Sequence, residues 1–174
     1  MIRRILHNLI ARAEARLGVG LDYAHKIADT DTGLLMRYNK QFAYLDPNKH
    51  CPAEAYHVAR LIAAKSADCG TCVEAEISLA KQAHVAADII DAALTGAPLP
   101  APLNAVATLA HAVTASHDDA PDARDQIRDA YGEAGLIELS FAMTGAHLLP
   151  SLKRAMGYAT TCDIDTLRKL SKAG

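Results

Sequence analysis

The chain is poor in large aromatic side chains: tryptophan is absent and phenylalanine occurs twice, whereas alanine occurs 35 times in 174 residues. Aromatic and β-branched residues favour strands, and alanine has the highest helix propensity. The composition therefore predicts an all-α fold. The few aromatics also leave no evident platform for base stacking, and a net charge of −2 gives no general attraction to polyanions. We expect no nucleic-acid partner.

Long apolar runs are also missing from the sequence. A spanning helix needs about 18 or more apolar residues, and a secretory signal needs a shorter uninterrupted apolar stretch. The first segment carries four arginines among its apolar residues. We therefore expect no membrane span, no membrane partner and a cytoplasmic location.

Apolar residues recur at helical spacing along most of the chain, and Gly, Pro and Asp residues mark the helix ends. The length suits one domain, residues 1–174, and neither a fixed repeat nor a strand–helix–strand alternation is present. We predict a compact multi-helix bundle, with Cys69 and Cys72 at the N-terminus of a core helix. The predicted helices cover residues 1–17, 52–66, 69–84, 86–95, 103–116, 121–133 and 135–156, the last with a kink at Pro150. Two further helices begin at a cap at Asp22 and at a cap within 29–31, and another follows Asp163. Ser66 or Asp68 caps the helix over 69–84, and residues 46–48 interrupt the helical structure.

The segment Cys69-Gly-Thr-Cys72 places two thiols three residues apart on one helix face. Backbone N–H groups and the positive end of the helix dipole stabilise an anion at that position, which lowers a thiol pKa. The spacing also allows the two sulfurs to form a disulfide after a small adjustment. The pair is therefore a candidate for a nucleophilic thiol and its resolving thiol.

The same helical stripe continues from Cys72 to Glu76 and then to apolar residues. A carboxylate on a core-facing stripe is costly unless it is paired. The preceding antiparallel helix carries His57 on its apolar edge. We therefore predict that His57 and Glu76 form a pair beside Cys72.

These residues resemble a known family pattern. The alkylhydroperoxidase D-like branch of the carboxymuconolactone decarboxylase superfamily carries Glu, eleven residues, Cys-x-x-Cys, three residues, then His. This chain has His57, eleven residues, Cys69-Gly-Thr-Cys72, three residues, then Glu76, so the acid and the imidazole are exchanged. The likeness covers residues 55–96 well and 103–157 more loosely. It implies a core over 46–174 with an N-terminal helical extension over 1–45.

The resemblance implies a thiol-dependent peroxide reductase or disulfide oxidoreductase with an antioxidant role. Cys72 would attack the substrate, Cys69 would resolve, and His57 with Glu76 would relay a proton. The resemblance implies no metal or other cofactor. The partners would be a peroxide or disulfide substrate and a thiol reductant. The chain would also form a homo-oligomer, a trimer or a multiple of a trimer. Two outcomes of the exchange are open: the relay is kept in mirrored positions, or Cys72 is less acidic and disulfide exchange is slower.

Other interpretations compete with this one. A lactone decarboxylase-type reaction of the same superfamily would not need the dithiol, and an inherited fold can serve as a non-catalytic interaction protein. A structural zinc site usually takes two close ligand pairs, and Cys51 and Cys162 are isolated in the sequence. We interpret both as packing residues, and His111 and His147 as hydrogen-bonded core histidines.

Overall fold

The computed structural model describes residues 2–45 and 49–172, and in these ranges it contains helices and no strand, so the predicted all-α class is confirmed. The predicted break at 46–48 lies outside the described residues. The elements are α1 (Ile2–Leu17), α2 (Asp22–Thr30), α3 (Thr32–Asn39), a 3₁₀ segment (Lys40–Leu45), α4 (Ala53–Ser66), α5 (Gly70–Gln82), α6 (Ala87–Thr95), α7 (Leu103–His111), a π-helical turn (Ala112–Ser116), α8 (Pro121–Ala155) and α9 (Ile164–Lys172).

Two helices were predicted over the range that α8 occupies. Gly132, with φ 72° and ψ 176°, breaks the helical path, in a backbone conformation that favours glycine. The break separates the two predicted helices. Pro150, where the sequence predicts a kink, lies inside a helix that continues to Ala155.

The N-cap of α5 differs from the prediction. Cys69 itself is the N-cap residue, and its backbone oxygen accepts from the N–H groups of Cys72 and Val73 at 3.0 Å. Ser66 does not cap α5, because its hydroxyl donates instead to the backbone oxygen of Ala63 and to Thr114. Asp68 does not cap it with its side chain either: its Oδ1 accepts from the N–H of Cys162. Both predicted caps are therefore wrong.

The other two predicted caps had different outcomes. Asp31 caps α3, since its Oδ1 accepts from the N–H of Leu34 at 3.0 Å. Asp22 is the first residue of α2 and makes no capping hydrogen bond. Its carboxylate still lies in the first helical turn, where negative charge is favourable.

The main core surrounds α4, whose residues 55–64 are all buried and which packs against α5, α6, α7 and α8. A second apolar cluster joins α1, α2 and α3 to the end of α8 through Leu149, Leu152 and Met156. We call α1, α2, α3 and the 3₁₀ segment, residues 2–45, the N-terminal layer. Among the described residues, no helix combines the length and apolarity needed to cross a bilayer.

Candidate active site at the Cys69–Cys72 dithiol

The two thiols lie at the start of α5, Cys69 as the N-cap residue and Cys72 in the first turn. Their Sγ atoms are 2.7 Å apart. A disulfide bond is about 2.05 Å long, so a small approach of the two sulfurs would complete it. This arrangement suits a thiol pair that is oxidised and reduced without unfolding.

The pair carries one proton and one negative charge near neutral pH. The pKa of Cys69 is lowered to about 5, first by the hydrogen bond from the Cys72 thiol and then by the Cys72 backbone N–H and the charge of Lys153, against the opposing effect of burial. The pKa of Cys72 is raised, because this thiol donates to Cys69 and is itself buried. Cys69 therefore carries the charge and Cys72 the proton.

Lys153 of α8 brings a buried positive charge to the dithiol. It is only 5% exposed, its Nζ donates to the Thr71 hydroxyl, and the same atom lies 5.2 Å from the centre of the Tyr23 ring. No carboxylate lies within 4 Å of it among residues 2–45 and 49–172. Its charge lowers the pKa of both thiols.

The sequence analysis missed Lys153, although a signal was present. In α8 an apolar stripe at helical spacing runs through Leu139, Met143, Ala146 and Pro150. Lys153 continues this stripe by three residues. A lysine in line with a buried stripe lays its aliphatic stem along the apolar face, and for Lys153 the charged end is buried as well.

Arg60, and not His57, is the partner of Glu76. The guanidinium donates from Nε to one carboxylate oxygen at 2.7 Å and from Nη2 to the other at 2.9 Å. Arg60 Nη1 also donates to the Tyr56 hydroxyl at 3.1 Å, which in turn donates to the backbone oxygen of Leu45 at 2.9 Å. Both ends of this ion pair are buried. The predicted His57–Glu76 pairing is therefore wrong.

The geometry of the α4–α5 hairpin explains the correction. Arg60 lies six residues before the end of α4, and Glu76 six residues after the start of α5, so the two are level in an antiparallel pair. His57 is almost one turn farther from the connection. Arginine also reaches farther than histidine and fits a carboxylate with two parallel hydrogen bonds.

His57 is buried without a hydrogen-bond partner at Nδ1, and it is 6% exposed. Burial, followed by the nearby charge of Arg60, lowers the pKa of His57 to about 4. The imidazole is therefore neutral near pH 7. It is not among the residues that line the cavity at the dithiol.

A cavity of about 280 Å³, which we call the dithiol cavity, lies over the first turn of α5. Cys72 and Lys153 line it, whereas Cys69 is fully buried and does not. Half of the lining comes from the N-terminal layer, including Tyr23 and Tyr38, whose hydroxyls are 2.6 Å apart. Burial raises the pKa of Tyr23 to about 12. The N-terminal layer therefore forms one wall of the dithiol cavity.

The segment before α9 seals the other side of the dithiol. Gly70 N–H donates to the backbone oxygen of Thr160 at 2.9 Å, and Thr71 N–H donates to the Thr160 hydroxyl at 3.1 Å. A β-carbon at Gly70 would lie 2.6 Å from the backbone oxygen of Thr161. This close approach requires glycine between the two cysteines.

The remaining candidates lie outside the dithiol cavity. Burial raises the pKa of Cys51 to about 12 and that of Cys162 to about 11, and the Cys51 thiol donates to Glu138. His111 is exposed, so its interpretation as a core histidine is wrong, whereas His147 Nδ1 lies 3.3 Å from the Ala63 oxygen. Within the part of the chain that the structure describes, no three His, Cys, Asp or Glu side chains are placed to hold a metal ion.

No protein-family model, curated protein or solved structure matches this chain.

Proposed function

We propose that the protein is a dithiol oxidoreductase that reduces peroxides, or disulfides, through Cys69 and Cys72. The observation that carries the proposal is the pair of thiols 2.7 Å apart, one of which faces a cavity that also contains the buried cation Lys153. Such a pair has the anion, the resolving thiol and the access that thiol chemistry needs. The family resemblance of the sequence supports the same function.

Cys72 is the attacking thiol in this proposal, because it lines the dithiol cavity whereas Cys69 is fully buried. The proton rests on Cys72, which donates it to the Cys69 thiolate, so the transfer to Cys69 accompanies the attack of the Cys72 sulfur while the charge of Lys153 favours a thiolate at Cys72. Cys69 then acts first as the base and later as the resolving thiol. The two coupled thiols replace the proton relay that was expected of His57 and Glu76.

The reaction with a hydroperoxide ROOH balances as follows. As the Cys72 sulfur attacks the distal peroxide oxygen, its proton passes to the Cys69 thiolate, which gives a sulfenic acid on Cys72 and the alkoxide RO⁻. The alkoxide takes the proton from Cys69 and leaves as ROH. Cys69 then attacks the sulfur of Cys72, releases hydroxide and forms the disulfide, which an external thiol reductant returns to the dithiol.

Lys153 stabilises the negative charge that moves through this sequence. Its ammonium has three N–H donors and is held by the Thr71 hydroxyl and the Tyr23 ring. A fixed cation in a partly desolvated site favours both the attacking thiolate and the departing alkoxide. An acid–base reaction of the lactone decarboxylase type has less support, because Glu76 is held by Arg60.

The test is peroxide consumption with dithiothreitol as reductant. Cys72→Ser should abolish it, whereas Cys69→Ser should leave a sulfenic acid on Cys72 that dimedone traps. Cys162→Ser is the control for loss of a nearby thiol and should retain the rate. Activity that survives Cys72→Ser would overturn the proposal.

We also propose that the chain forms a homo-oligomer in the cytoplasm, as the resemblance implies. Ile137, Phe141 and Leu148 are 47%, 50% and 42% exposed and lie along one face of α8, and Tyr44 packs edge-on against Phe141. An apolar helix face of this kind favours burial against another chain. Light scattering should give a mass above 18.5 kDa for the protein and a lower mass for Phe141→Glu. An 18.5 kDa particle at micromolar concentration would contradict this.

A further inference from the structure

A second cavity, of about 350 Å³, lies inside the N-terminal layer, and we call it the layer cavity. It adjoins the dithiol cavity, because five residues line both: Ala13, Leu21, Tyr38, Asn39 and Phe42. The two cavities are therefore neighbours between α1 and the end of α3. The layer cavity lies next to the space that Cys72 lines.

The layer cavity also reaches the protein surface. Leu9 and Met36 line it and are 53% and 56% exposed, so they form a rim open to solvent. Apart from Asn39 and the Tyr38 hydroxyl, every side chain that lines it is apolar. The Tyr38 hydroxyl is already bonded to Tyr23.

These features suit an apolar ligand better than water. A buried water needs two to four polar partners, and an engineered apolar cavity of about 150 Å³ stays dry and binds benzene. The layer cavity is larger and is open at its rim, so water can enter it but finds few polar partners there. Ala13 and Ala24 line it with methyl groups at positions where longer side chains would fill the space.

We propose that the layer cavity binds the hydrocarbon chain of the substrate and directs a hydroperoxide group at the end of that chain to Cys72. The inference rests on the proposed function and adds the place where the chain of the substrate binds, in residues that the family resemblance does not cover. The hydroperoxide is reduced to the alcohol with release of hydroxide, the dithiol is oxidised to the disulfide, and a thiol reductant restores it. The apolar chain takes no part in the bond changes and contributes binding alone.

The experiment measures kcat/KM for straight-chain primary alkyl hydroperoxides of increasing length, with dithiothreitol as reductant. Each methylene that enters an apolar cavity should raise kcat/KM by about fourfold at most. We expect the value to rise with length until the chain fills the layer cavity, and then to level off. A value that does not change with chain length would overturn the inference and leave the proposed function intact.

Ala24→Met is the variant that narrows the layer cavity, since Ala24 lines this cavity and not the dithiol cavity. In this variant we expect kcat/KM to level off at a shorter chain length and the rate with hydrogen peroxide to be unchanged. Lys26→Met adds the same side chain to the exposed face of α2 and should behave as the unaltered protein. If Ala24→Met fails to fold, Met36→Trp obstructs the rim at an exposed position. Identical chain-length profiles in the folded variant and the unaltered protein would overturn the inference.

A binding measurement separates this inference from the reaction. 1-Decanol carries the chain without the peroxide and should protect Cys72 from iodoacetamide more strongly than 1-butanol does. Protection together with no peroxide turnover would support the cavity and contradict the peroxidase chemistry. Equal protection by the two alcohols would contradict the cavity as a chain-binding site.

Discussion

The guanidinium of Arg60 holds both carboxylate oxygens of Glu76, and this buried pair lies on the helices that flank the dithiol cavity. The Glu76 charge is therefore balanced inside the protein. A carboxylate one turn beyond Cys72 would otherwise raise the thiol pKa strongly. The pair lets an acid occupy the position where the resembling family carries a histidine.

A double-mutant cycle tests the Arg60–Glu76 pair. Removing either partner leaves a buried charge, so Arg60→Met and Glu76→Gln should each lower the free energy of unfolding by about 3–5 kcal/mol. The double variant should lose much less than the sum of the two losses. Urea unfolding measures the free energy of unfolding of the two single variants and the double variant. Losses that add to within about 0.5 kcal/mol would show that the residues are independent.

The sequence predicted the dithiol and Glu76 as parts of this site, but it did not predict Arg60 as the partner of Glu76. Cys69, Cys72 and Glu76 are neighbours on one helix, so their placement follows from helical periodicity. Arg60 and Lys153 come from other helices, and their positions depend on how α4 and α8 pack against α5. The family pattern pairs an acid with a histidine, so the resemblance favoured His57 over Arg60 as the partner of Glu76.

Lys153→Met should raise the apparent pKa of the dithiol, because the cation favours the thiolate. The pH–rate profile of dithiol alkylation by iodoacetamide should therefore move to higher pH, and well below the Cys69 pKa of about 5 the rate should fall by about tenfold for each unit of increase. Lys153→Arg keeps the charge and should restore most of the rate. Lys169→Met removes an exposed lysine of α9 as the control. An unchanged pH profile in Lys153→Met would show that the cation does not act on the thiols.

His57 should affect acid stability rather than thiol reactivity. Its folded-state pKa of about 4 lies below the ordinary value of 6.5, so the unfolded chain takes up a proton that the folded protein rejects. Stability should therefore fall as the pH drops from 6.5 to about 4, by no more than about 3 kcal/mol from this group. His57→Leu should remove that part of the pH dependence, as measured by urea unfolding at several pH values.

The same His57→Leu variant separates the present account from the relay. The relay inferred from the family predicts that Cys72 reactivity falls by about 10²-fold. Because His57 does not line the dithiol cavity, we expect a rate close to that of the unaltered protein. A 10²-fold loss in a folded variant would restore His57 as part of the site.

The helices were well predicted because their signals are local. Glycine stops such as Gly18 and Gly96 adopt positive φ where the sequence ends α1 and α6, and Pro121 is the first residue of α8. The caps of α5 were missed because Ser66 bonds to Thr114, a contact between distant segments. The dithiol cavity was missed for the same reason, since half of its lining comes from residues 13–45.

The most direct test of the account is the disulfide that forms when the folded protein is mildly oxidised. Peptide mapping by mass spectrometry, with free thiols blocked before digestion, identifies the partners. The account predicts a Cys69–Cys72 disulfide, formed without loss of helical circular dichroism and reversed by dithiothreitol, with Cys51 and Cys162 recovered as thiols. A disulfide that joins Cys69 or Cys72 to Cys51 or Cys162, or oxidation that unfolds the protein, would contradict it.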